Sequence, residues 1–132
     1  MKTTKLLTLC LFFFASIMVA KGQADKPQTN SPVISFDKLV HDYGTIKQGS
    51  DGTCEFTFKN TGKEPLILSN VKSSCGCTVP TWPKDPIIPG QSGVIKVVYD
   101  TKRVGIISKT ITVISNAETG TVTLSIKGNV IE

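Results

Sequence analysis

The sequence predicts an all-β domain made of two sheets packed face to face, and three observations lead there. Apolar residues recur at every second position in several short runs, which is the period of a half-buried strand, and helix is nearly absent. Clusters of Gly, Asn, Asp and Ser separate these runs and supply the turns. Each sheet so formed has one apolar face to cover, and about seven short strands suit one immunoglobulin-like antiparallel β-sandwich. At 39% hydrophobic and 19% charged, the 132-residue chain is too apolar for disorder and too short for two ordinary domains.

The first element is an address. Lys2 and Lys5 precede an uncharged apolar run from Leu6 to Ala20, and charge returns at Lys21. A basic start followed by a run shorter than the roughly 20 residues of a membrane-spanning helix is the pattern of a cleaved export signal. Gly22 and Ala24 place small residues at the minus-three and minus-one positions of a cut after Ala24, so residues 1–24 are expected to be a signal peptide. Cys10 follows Leu9 and lies inside the apolar run, which excludes lipid attachment at that thiol. The cut removes three of the 15 basic residues and none of the 10 acidic ones, which takes the net charge from +5 to +2. Most of the basicity belongs to the leader, and residues 25–132 can form one core without metal or disulfide. The expected setting is the periplasm or the cell exterior.

The stretch DKPQTNSP, residues 25–32, is polar with two prolines and reads as a tether. The sandwich is expected over residues 33–132. Its strands are VISF from Val33, HDYG from His41, TCEFTFK from Thr53, PLILSNV from Pro65, VIKVVYD from Val94, KTITVIS from Lys109 and TVTLSIK from Thr121. Cys54, Phe56 and Phe58 face the core in the third of these, Ile95, Val97 and Tyr99 in the fifth, and Val122, Leu124 and Ile126 in the last. QGSDG, NTGKEP, PGQSG and NAETG, starting at Gln48, Asn60, Pro89 and Asn116, are the turns. Prolines 80, 83, 86 and 89 recur every third residue, the period of a polyproline II ridge. The stretch is expected to be a stiff crossover between the sheets, anchored by Trp82.

In order, FTFKNTGKEPLIL, SSCGCTVPTWPKDPIIPGQSG, VVYDTKRVGIISKTITVISN and a final strand ending in IKGNV resemble the bacterial family known as domain of unknown function 1573. That family is similar to the Hydin and major-sperm-protein group of immunoglobulin-like domains, and it is common among Bacteroides-like bacteria. The likeness runs from about Ile34 to Val130 and is most specific at SCGCT, Ser74 to Thr78, with the turn at Pro89 and Gly90. It implies the sandwich and a cell-envelope setting, and it implies no particular activity. Cys54 is an addition that the family pattern does not ask for.

Three cysteines remain after the leader, and three cannot all pair within one chain. Cys75 and Cys77 flank Gly76, and in a straight strand their Cα atoms would stand nearly 7 Å apart, at the limit for a disulfide. A bend at Gly76, which tolerates positive φ, would close the gap. The pair then has four readings: a structural clasp, reduced thiols packed near Trp82, a redox couple, or a soft clamp for Cu(I) or Zn. Zinc would need Cys54, Cys75, Cys77 and His41 to converge, whereas Cu(I) needs only the pair. Ser74, Gly76, Thr78 and Trp82 are the supporting loop, and its polar flanks predict partial exposure. Cys54, in line with Phe56 and Phe58, is expected to be buried and inert. His41 and Asp42 are adjacent and face opposite ways in a strand, so they form no oriented base, and no paired carboxylates or phosphate loop supports an enzyme. The only adjacent basic pair after the leader is Lys102 and Arg103, too little for nucleic acid. The sequence thus points to a non-enzymatic envelope module that binds a protein or envelope component through loops or a strand edge, or chaperones an exported subunit. The alternative is a thiol module at Cys75 and Cys77.

Overall fold

The computed structural model describes residues 30–132, so the expected leader and most of the tether lie outside the described residues. Eight strands follow in order: β1 (Ile34–Phe36), β2 (Val40–Lys47), β3 (Thr53–Asn60), β4 (Leu68–Ser73), β5 (Thr78–Thr81), β6 (Ser92–Tyr99), β7 (Gly105–Ser115) and β8 (Thr121–Ile131). They form two four-stranded sheets, ordered β1-β3-β6-β5 and β2-β8-β7-β4. Phe56, Phe58, Ile95, Val97, Ile111, Leu124 and Ile126 are closed off from water between them, which is the alternation read from the sequence. Gly49, Gly90 and Gly120, inside three of the expected turns, adopt positive φ at no steric cost.

Three expectations are corrected. The strands number eight because TVPT, read as part of the proline stretch, is β5; a proline fits there because β5 is an edge strand. The sheets are not wholly antiparallel: the chain leaves β1 in the first sheet, crosses through Asp37–Leu39 and runs as β2 parallel to β8 in the second. The proline stretch does not cross between sheets, since it joins β5 to β6 within one. Leu66 and Ile87 exchange both backbone hydrogen bonds at 2.8 Å and tie this stretch to the β3–β4 connection. Trp82 is half-buried against the core, as expected. The crossover beside it is residues 74–77, the Ser-Cys-Gly-Cys segment between β4 and β5.

Candidate functional site

β4 ends at one edge of its sheet and β5 begins at one edge of the other, so four residues must carry the chain across the flank of the sandwich. Short polar side chains make that passage possible. The Ser74 N–H donates to the Thr110 carbonyl at 2.9 Å, and the Thr110 N–H returns to Ser74 Oγ at 3.2 Å, which extends the β4–β7 ladder by one step. Ser73 Oγ lies 2.5 Å from the Cys75 carbonyl and 2.6 Å from that of Thr78, and shares its hydrogen between them. The Asp100 N–H then takes up the Cys77 carbonyl at 2.8 Å and starts the pairing with β6.

This scaffold brings Cys75 and Cys77 together with their Cα atoms 5.3 Å apart, inside the range a disulfide spans. The bend comes from the turn as a whole; Gly76 is not at positive φ, contrary to the expectation. Cys77 is buried at 8% exposure and its sulfur lies 3.7 Å from Thr78 Oγ1, whereas Cys75 is half-buried and Gly76 is exposed. The Cys77 N–H donates to Cys75 Sγ at 3.2 Å. Lys84 Nζ stands 3.0 Å from the centre of the Trp82 ring, a cation–π contact, while the buried indole N–H has no protein partner.

The other candidates are elsewhere. β2 and β4 are opposite edges of one sheet, so His41 and the crossover are separated by three strand spacings, roughly 14 Å. A Cys75–His41 nucleophile and base does not form, and among the described residues no three His, Cys, Asp or Glu side chains gather as a metal site. The four-ligand convergence that zinc would need is therefore not there. Cys54 is buried between the sheets beside the Tyr43 hydroxyl, which donates to the Gly52 carbonyl at 2.6 Å. Burial pushes the Cys54 thiol up, and burial likewise raises the Tyr43 phenol. Lys38 Nζ lies 2.9 Å from His41 Nδ1; burial first, then this ammonium, hold the imidazole below its ordinary range.

The sheet edges are the remaining places where backbone groups lack partners. On β5, the Thr78 N–H goes to the Cys75 carbonyl, the Thr78 carbonyl receives Ser73 Oγ and Pro80 has no N–H, so this edge is closed. On β4, register turns the backbones of Val71 and Ser73 outward, flanked by exposed Asn70 and Lys72. Across the molecule, register turns the backbones of Ile34 and Phe36 away from β3, and those of Val40 and Asp42 away from β8. Exposed Leu39 and Val40, at 51% and 46%, line the start of the β2 edge. A bulge between Asp42 and Thr45, where the Asp42 carboxylate accepts the Gly44 N–H at 2.8 Å, interrupts the edge before β2 resumes pairing at Thr45 to Lys47.

A family match covers residues 34–130, to the protein family of unknown function DUF1573, and so takes in nearly all of the described sandwich. The chain belongs to the DUF1573 family. No curated protein is similar to it by sequence. Among solved structures it is similar to a protein of unknown function from Porphyromonas gingivalis W83, at 19% identity and a TM-score of 0.68 over 76% of this chain and 49% of that one. The chain therefore spans about half of that protein's length. It is also similar to the PapD-like domain 7 of human CEP192 (11% identity, TM-score 0.65, 81% of this chain and 92% of that one). A third likeness is to the YadV chaperone (14% identity, TM-score 0.54, 77% and 53%). At these identities the likeness shows a shared PapD-like, immunoglobulin-like fold. The sequence reading missed the β2 edge, and the signal that could have found it was two adjacent apolar residues, Leu39 and Val40, just before HDYG.

Proposed function

We propose that this DUF1573 chain is a non-enzymatic binding or assembly domain exported to the cell envelope, and that it takes an extended segment of a partner protein along the free edge of β2. The observation that carries this reading is the edge itself: outward backbone groups at Val40 and Asp42, next to exposed Leu39 and Val40. Strand addition draws affinity from such main-chain groups and specificity from the side chains beside them. Export is supported by the basic-then-apolar order of residues 2–20. The test is a photocrosslinking residue at Leu39 in living cells, with Ile106, 74% exposed and two strands in from that edge on β7, as control. The reading requires one discrete adduct at position 39 whose mapped site is an extended segment of another exported protein, lost when Val40→Pro is added. Equal adducts at both positions, none at either, or a second copy of this chain as the sole adduct would sink it.

A second reading is a thiol module at Cys75 and Cys77, supported by their Cα separation of 5.3 Å and the partial exposure of Cys75. Here the pair cycles between disulfide and dithiol, and the dithiol could instead hold Cu(I). Intact mass of the chain purified without reductant separates these states: two hydrogens lost for the disulfide, an added metal mass for the clamp, and neither if the pair only packs.

A further inference from the structure

The geometry points to a fixed direction of exchange at the crossover: Cys75 is the sulfur that meets an outside thiol, and Cys77 is the one released when it does. This rests on the thiol reading above and adds to it which sulfur acts. Three features separate two cysteines only one residue apart. Cys77 is buried, with Thr78 Oγ1 3.7 Å from its sulfur, whereas Cys75 is half-buried between exposed Ser74 and Gly76. The Cys77 N–H donates to Cys75 Sγ, and a thiolate accepts such a bond more strongly than a thiol does, so negative charge is favoured on Cys75 and disfavoured on its buried neighbour. A Cβ placed on Gly76 would meet no atom within 4 Å, so the space beside the pair is clear for an incoming chain.

The donor is held in place by backbone. The Cys77 carbonyl accepts from Asp100, and the Ser73 hydroxyl bridges the carbonyls on either side of the turn, so the Cys77 N–H does not depend on a rotamer to face Cys75. From the disulfide form, one thiolate of an exported protein dithiol attacks Cys75 Sγ. A new S–S bond forms to Cys75, the Cys75–Cys77 bond breaks, and Cys77 leaves as a thiolate that takes a proton from water. The second thiol of the same substrate then attacks its own sulfur in the mixed disulfide and displaces Cys75 as a thiolate. Two electrons pass from the substrate dithiol to the pair, and the substrate leaves with a disulfide.

Glutathione is the probe. With oxidised glutathione, the Cys77→Ser variant of the full chain should gain one glutathione on Cys75 at least about tenfold faster than the Cys75→Ser variant gains one on Cys77. Brief treatment of the unmutated chain with dithiothreitol, followed by an iodoacetamide pulse and peptide mapping, should label Cys75 ahead of Cys77; this arm needs no variant to fold. Equal or reversed labelling overturns the direction while leaving the thiol reading standing. If the unmutated chain stays a dithiol after oxidised glutathione, losing no hydrogens and gaining no adduct, the thiol reading fails and the direction with it.

Discussion

Asn60 has no exposure and makes four side-chain hydrogen bonds: its carbonyl accepts from Val33 and Gly62, and its amide donates to Glu64 and Ile87. It joins the start of β1, the β3–β4 connection and the proline stretch at one point. Truncation by Asn60→Ala would strand several buried backbone groups, so a loss of about 3 kcal/mol is expected in urea unfolding. The sequence reading took Asn60 as a turn residue because Asn-Thr-Gly is ordinary turn chemistry. Its spacing of two from Phe58 and four from Phe56 was the available sign that it faces inward. The glycines divide in the same way. A Cβ on Gly52 would run into the Tyr99 carbonyl and Thr101, so Gly52→Ala should cost about 2 kcal/mol, whereas Gly76→Ala, with open space and an ordinary φ, should stay within about 0.5 kcal/mol. Thermal unfolding of the two variants checks the contrast. His41 supplies a pH dependence. Its folded pKa lies below the ordinary 6.5, so below that pH the unfolded chain binds more protons, and stability falls as pH drops through and below 6.5. His41→Gln should flatten that part of a stability-against-pH curve.

Among the elements, β5 shows what a pattern reading misses. Four residues with a proline in third place carry no strand signal, yet the proline is tolerated because position 80 turns away from β6. Replacing it restores a backbone donor on a closed edge. Pro80→Thr should leave the fold and its stability almost unchanged and increase self-association in sedimentation velocity; an unchanged monomer fraction would mean Pro80 does not guard that edge. The parallel β2–β8 pairing was illegible for a different reason: alternation reports which face of a strand is buried but not which strand lies beside it. The same limit put the sheet crossover in the proline stretch. The four-residue segment at Ser74 to Cys77 looks too short for that task, and it succeeds because β4 and β5 are neighbouring edges of the two sheets. The longer strands were legible because each buries one face, as in Thr53–Asn60 and Thr121–Ile131.

For the whole molecule, the cysteine pair is a minor part of stability. A disulfide across one residue would restrain only a very short loop, so on the chain-entropy account the Cys75→Ser, Cys77→Ser double variant should lose no more than about 2 kcal/mol and keep its fold. Unfolding of the double variant would instead make the pair a structural clasp. The larger asymmetry lies between the two flanks of the sandwich. On one, the β5 edge is closed by the crossover, the Ser73 hydroxyl and Pro80, and only the β4 backbones of Val71 and Ser73 face outward, between the exposed polar residues Asn70 and Lys72; the other leaves the outward backbones of Ile34, Phe36, Val40 and Asp42 beside exposed Leu39 and Val40. Residue-resolved amide hydrogen exchange on the purified chain tests that asymmetry most directly. The expected result is fast exchange at Val40 and Asp42, alternating with slow exchange at His41 and with protection at Thr78. Slow exchange at Val40 and Asp42 in the free protein would show that edge already covered, and would contradict its role as the docking edge.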